Sequence, residues 1–260
     1  MTIFKHEIKQ MRTALLIWGI AVGLMILVSM IIYPEMVGNT ADMFENMGVF
    51  TQAFGLDKLD INSVTGYYGM QSGSILALGG TFFASLIGIS MLSKEESAKT
   101  AEFLLTHPIS RQQVVIEKIY AIFFAIILFN LLCLLFSLIS FAIINEMNNV
   151  VWSSFWLFHL AQCIMHIQIA SLCFGISAII KRGGIGIGIG FTMLMYFLNL
   201  ICNISERVRF LKYITPFQYA EPSHIISKSS IDSNLIIVGV IYATIGIVVA
   251  FWYYDRKDIT

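Results

Sequence analysis

The stretch that decides the fold is Tyr120–Ile144, YAIFFAIILFNLLCLLFSLISFAII, an apolar run without a single charge. A helix crossing a bilayer needs ~20 apolar residues, because ~30 Å of hydrocarbon is covered at ~1.5 Å per residue. Phe155–Ile180 is a second long run of this kind. Shorter ones cover Thr13–Ile32, Ser72–Ser93, Ile185–Ile201 and Leu235–Tyr254. The expected architecture is an all-α polytopic membrane protein with six transmembrane helices, at 13–32, 72–93, 119–145, 155–180, 185–202 and 234–254, in a single transmembrane domain over 1–260. Outer loops are expected at 33–71 and 203–233, the latter with short interfacial helices, and a cytoplasmic elbow at 93–118.

Composition agrees: 57% of residues are hydrophobic and 12% charged, about half the charged share of a soluble domain. Lys+Arg and Asp+Glu balance at 16 each, so net charge argues neither for nucleic acid nor for an acidic partner. No cleavable-signal pattern follows the first run. Cys133, Cys163, Cys173 and Cys202 lie in or at the edge of spans and lack C-x-x-C spacing, so packing is their expected role.

The distribution of basic residues sets the orientation. Lys5, Lys9, Arg12, Lys94, Lys99, Arg111, Lys118, Lys181, Arg182, Arg256 and Lys257 fall on one side. Only Lys58, Arg207, Arg209, Lys212 and Lys228 fall on the other. Both termini are therefore expected in the cytoplasm. The first outer loop is acidic, with Glu35, Asp42, Glu45, Asp57 and Asp60, and neither outer loop is large enough for a catalytic domain of its own.

The six spans contain no Asp, Glu, Lys or Arg. An ion-coupled carrier or pump usually needs such a group to bind its ion. His159 and His166 share a face of the fourth span with Cys163 between them, a poor metal set without a carboxylate. Asn130, Gln162, Gln168 and Asn199 suit hydrogen bonds between helices. Lining of a substrate path is the sharper reading for Asn130, His166 and Asn199. Gly183, Gly184, Gly186, Gly188 and Gly190 open a membrane helix with no strand before them, so they are no nucleotide loop. Gly19-xxx-Gly23, Gly184-xxx-Gly188 and Gly186-xxx-Gly190 instead let helices approach closely, either within the chain or at a subunit interface. No nucleophile elbow, H-E-x-x-H or aspartate pair lies in the spans. The chain carries neither an energy source nor a catalytic centre that its sequence reveals.

One connection carries more information. In Ser93–Lys118, SKEESAKTAEFLLTHPISRQQVVIEK, Ser93 and Glu96 form an S-x-x-E capping box and Ser110 with Gln113 an S-x-x-Q box. Glu95 and Lys99 are spaced i, i+4 in the favourable order. The chain bends at Thr106-His107-Pro108, since proline disfavours helix at the residue before it. An interfacial hairpin lying on lipid headgroups has the same signature. The series Glu96, Thr100, Leu104-Leu105, Pro108-Ile109-Ser110-Arg111 and Lys118 resembles the signature of ABC-2 type transporter permeases, with Lys99 where the family usually has glycine. Thr215-Pro216-Phe217-Gln218-Tyr219 resembles that family's motif between the last two spans. The amphipathic N-terminus, with Ile3, Phe4, Ile8 and Met11 against Lys5, Lys9 and Arg12, resembles its elbow helix.

The resemblance implies the permease subunit of an ATP-driven bacterial exporter in the plasma membrane, moving a hydrophobic or amphipathic substrate such as a peptide or drug. It implies two permease subunits, as homo- or heterodimer, with two copies of a separate ATP-binding subunit that carries ATP and Mg²⁺. This chain would bear no cofactor, metal or enzyme activity of its own. Coupling to the ATPase would fall to Glu95, Glu96, Lys99, Thr100, Glu102, Phe103, Leu104, Leu105, Pro108, Ser110 and Arg111. Gly19, Gly23, Gly184, Gly186, Gly188 and Gly190 would serve the subunit interface. A stand-alone channel or secondary carrier, or a receptor or assembly factor, is the alternative.

Overall fold

The computed structural model describes residues 2–37, 48–97, 110–181 and 184–257. Among the described residues six helices are long and apolar enough to cross a membrane: α1 Thr2–Ile31, α2 Val64–Ser90, α3 Arg111–Ile143, α4 Trp152–Ile179, α5 Ile185–Ile204 and α6 Ser233–Arg256. No strand occurs among the described residues. The apolar runs read from the sequence fall within or close to these helices.

Local chemistry explains the boundaries that differ. α2 starts at Val64, ahead of its apolar run, because Ser63 caps it by accepting from the Gly66 N–H at 3.1 Å. The segment Tyr33–Gln71, expected as an outer loop, therefore gives its last part to the helix. α3 starts at Arg111, where the Ser110 hydroxyl accepts from the Gln113 N–H at 3.2 Å. α6 starts after Asp232, which accepts from the Asn234 N–H at 3.0 Å. The expected N-terminal elbow is not separate: α1 is continuous from Thr2, and nothing in Gln10-Met11-Arg12-Thr13 breaks a helix.

α1 lies along α3, and α4 is the central helix, packed on α6, α2 and α3. In the most apolar window of α4, 67% of residues are buried within the chain, against 22% in α5 and in α6. The outer helices thus present their apolar faces to lipid or to another subunit. α4 and α6 cross backbone to backbone at Gly175 and Gly246, where a Cβ on Gly175 would lie 2.6 Å from the Gly246 carbonyl oxygen. Only the smallest side chain permits that approach.

α2 is not uniform. Leu76–Gly80 is a π-helical turn that frees carbonyls from the helix ladder. Trp18 Nε1 donates to the Gly79 oxygen at 2.7 Å, and His166 Nε2 lies 3.1 Å from the Leu76 oxygen. Two freed acceptors are thereby satisfied inside a region without water.

The segment between α5 and α6 departs from its expected place on the surface. Its first part, the 3-10 stretch Glu206–Tyr213, leaves Phe210 and Tyr213 exposed. The chain then turns into the bundle: the Thr215 hydroxyl donates to the Met195 oxygen at 2.9 Å, halfway along α5. Tyr219 donates to Gln168 at 2.5 Å, and Gln162 donates to the Ala220 oxygen at 3.0 Å. Gln168 lies more than halfway along α4 from its start at Trp152, roughly 24 Å at 1.5 Å per residue. The helix Pro222–Lys228 climbs back, and Ser229 meets Ser154 at 2.8 Å near the start of α4. Phe217, Tyr219 and Ala220 are buried. This is a re-entrant segment, tolerated at membrane depth because protein, not lipid, surrounds its backbone.

Candidate functional site

The end of the bundle that carries both termini and most of the basic residues is held by a buried charge cluster. Its hub is Lys118, in the first turns of α3 and without exposed surface. The Lys118 ammonium donates to Glu7 Oε1 at 2.6 Å, to the Met91 oxygen at 2.8 Å and to Glu95. Glu7, on α1, is 1% exposed and also pairs with Lys94, whose ammonium reaches Gln10 Oε1 at 2.7 Å. An unpaired ammonium would not survive such burial, and here all three of its donors are engaged.

A second tie lies beside it. Lys257, just past α6, pairs with Glu96 at 2.7 Å and donates to the Ala178 and Ile180 oxygens at 2.8 and 3.2 Å. It thus caps the C-terminal end of α4, where a cation is favoured. Arg111 donates to the Tyr254, Asp255 and Lys257 oxygens at 3.2, 3.0 and 2.8 Å and closes the end of α6 in the same way. Glu117 accepts from the Phe4 N–H at 3.0 Å at the start of α1. Between these ties sits the short helix Ser93–Ser97, the stem of the expected elbow.

This arrangement corrects the roles read for several residues. Ser93 does not cap a new helix; its hydroxyl donates back to the Ile89 oxygen at 2.9 Å. Glu95, Glu96 and Arg111, expected to serve coupling to an ATPase, have their side chains engaged within the chain. Lysines and helix-end carbonyls of the same chain engage them, because burial of Lys118 and Lys257 demands counter-charges close by. Lys99, Thr100, Glu102, Phe103, Leu104, Leu105 and Pro108 lie outside the described residues, as does the bend expected at Thr106-His107-Pro108.

The other sequence-derived sites scatter. Gly19 and Gly23 are buried against α3, where added Cβ atoms would run into Leu132 and Phe136. Gly184 and Gly188 close on α2, with Ile89 3.0 Å from a Cβ on Gly188. The subunit contact expected at these four has no free surface to use; they pack the chain on itself. Gly186 and Gly190 face open space. His166 and Asn130 are both buried and meet each other at 3.2 Å. His159 meets Tyr68 at 2.7 Å and Tyr68 meets Ser137 at 2.7 Å. Asn199 does line a cavity, toward the opposite end.

From the sequence Glu7 carries no role, and Lys257 counts only toward the orientation. A signal for Glu7 existed: it falls on the buried stripe of Ile3, Leu15 and Gly19, an acid on the apolar face of a basic segment.

Six apolar helices, a buried ionic lock at one end and a re-entrant segment at the other define a polytopic membrane protein whose interior is held by packing and hydrogen bonds. A family model described as "ABC-2 family transporter protein" matches residues 1–259, and the chain belongs to that family. It is a permease component of an ABC transporter, a membrane transport subunit that works with an ATP-binding subunit. No curated relative matches the chain.

Proposed function

We propose that this permease is half of the membrane part of an ATP-driven exporter in a bacterial plasma membrane. It pairs with a second permease subunit and couples through 93–118 to two copies of the ATP-binding subunit, where ATP and Mg²⁺ reside. Its cargo is hydrophobic or amphipathic, a peptide or a drug. The observation that carries the reading is the double clamp on Ser93–Ser97: Glu95 ties it to α3 and α1 through Lys118, and Glu96 ties it to α6 and α4 through Lys257. Force applied at the bend by closing ATPases reaches four spans at once, since a short stem fixed at two points cannot swing freely.

Phe103, Leu104 and Leu105 supply apolar surface for an ATPase groove, worth ~1.5–3 kcal/mol per large side chain buried. Gly186 and Gly190, open on α5, mark the face offered to the second permease subunit. The test uses membrane vesicles holding the permease with and without its ATP-binding partner. Phe103→Ala is expected to weaken co-purification of the ATPase. Glu96→Gln is expected to leave co-purification intact while lowering stimulated ATP hydrolysis and transport. Transport without ATP, or wild-type behaviour of both variants in all three assays, would sink the coupling assignment.

A further inference from the structure

Five basic residues fall on the side opposite both termini, against the general bias: Lys58, Arg207, Arg209, Lys212 and Lys228. Three of them, Lys58, Arg209 and Lys212, line one cavity of about 140 Å³. Its other polar walls include His224, Glu206 and Asp232. Such a volume has room for roughly ten waters, enough for a phosphate with part of its hydration.

Separate parts of the chain build this cavity. Lys58 ends the 3-10 turn Leu56–Lys58 ahead of α2, whereas Arg209 and Lys212 come from the 3-10 stretch Glu206–Tyr213 after α5. Two ties bring them together. Asn203 donates to the Ala53 oxygen at 2.9 Å. Gly55, at φ 65°, packs against Ser223, and a Cβ there would lie 2.5 Å from the Ser223 hydroxyl oxygen. Glycine takes that left-handed turn without the clash a side chain would bring. Lys58 is thus carried toward the other cations by packing, although like charges repel.

The charges do not cancel pair by pair. Glu206 pairs with Arg209 at 3.0 Å, and Asp232 is engaged in capping α6. Lys58 and Lys212 have no ion pair among the described residues, and Lys212 lies over the Tyr213 ring, 4.9 Å from its centroid. His224 registers the surplus. Burial holds its imidazole below the ordinary range, and Lys228, Lys58 and Arg209 lower it further through space, with Asp232 opposing.

A ligand that answers this inventory is an anion with several acceptor oxygens. Phosphate suits lysine as a point charge, and it suits the guanidinium nitrogens that Arg209 keeps beyond its bond to Glu206. Phe210 and Tyr213, 63% and 45% exposed on the same 3-10 stretch, give a flank suited to the membrane interface. We propose that this cavity binds a phosphate group, presented by a lipid headgroup or by a soluble phosphate ester. Such binding needs neither the ATP-binding subunit nor a second permease.

The experiment is thermal melting of the full-length permease in an uncharged detergent at matched ionic strength. The probes are dihexanoylphosphatidic acid against dihexanoylglycerol, and glycerol phosphate against KCl. In at least one pair the phosphate-bearing member is expected to raise the Tm beyond its control. An excess for the lipid alone places a headgroup in the cavity, and an excess for glycerol phosphate admits soluble esters. Lys58→Gln combined with Lys212→Gln is expected to weaken the apparent affinity about tenfold or more. Arg207→Gln removes a charge from the same stretch but outside the cavity lining, and should keep the wild-type shift. No excess in either pair, or an undiminished shift in the double variant, would overturn the proposal. So would an equal loss in Arg207→Gln, which would mean diffuse attraction to a basic surface. The wild type supplies a further test without any variant. Its excess should shrink from about 0.01 to about 1 M KCl, as the screening length falls from ~30 to ~3 Å, and a salt-independent excess decides against the site. Binding is read on the permease alone, so failure here leaves the vesicle tests of ATP coupling unaffected.

Discussion

Lys118 has no exposed surface and touches two carboxylates and a carbonyl. Removing one partner from a buried ionic group costs ~3–5 kcal/mol, because the survivors stay charged and unpaired. Lys118→Ala is expected to lower stability by about that much in thermal melting of the detergent-solubilised chain. Lys118→Met combined with Glu95→Gln should lose less than the sum of those two single substitutions, since both charges leave together and Glu7 keeps Lys94. Strictly additive losses in that double-mutant cycle would show that the pair does not act as a unit. The lysine before the third span was legible as part of a motif. Its partner Glu7 lies 111 positions earlier, and no local pattern in one sequence announces a pairing at that separation.

At the scale of the element, the π-turn in α2 sets a steric test. A Cβ on Gly80 would collide with the His166 ring, whereas one on Gly186 meets nothing within 4 Å. Gly80→Ala is expected to destabilise by ~1–3 kcal/mol through overpacking. Gly186→Ala should be neutral or stabilising by up to about 1 kcal/mol, the helix preference of alanine over glycine. Equal melting temperatures for the two variants would contradict the packing of α2 on α4. The six spans were legible because long uncharged runs have few alternatives. The first turns of α2 were not, because Gly66, Gly69 and Gln71 dilute the apolar signal around Tyr67 and Tyr68. The re-entrant segment read as a surface loop because Pro216 and Pro222 punctuate it. Burial by protein at membrane depth leaves no periodic trace, since its polar groups are satisfied by distant side chains such as Gln162 and Gln168.

For the whole molecule, the asymmetry of Lys and Arg gives a topology that labelling can check. Single cysteines at Asn148 and Asp57, both exposed, are expected to react with an impermeant reagent from outside intact cells. One at Lys181, exposed at the end that carries the termini, is expected to stay silent until the membrane is opened. Labelling of the Lys181 position from outside would reverse the orientation. The re-entrant segment also imposes an order on biogenesis. Thr215, Tyr219 and the Ala220 carbonyl find their hydrogen-bonding partners on α5 and α4, and Glu221 finds Asn199. Lipid offers none of these, at several kcal/mol for each group left unsatisfied. The segment cannot settle until α4 and α5 already stand side by side, and α6, synthesised after it, then closes against α4. Insertion of the last hairpin is thus a folding step conditional on the helices made before it, and the step at which a nascent chain of this kind is most exposed to misassembly.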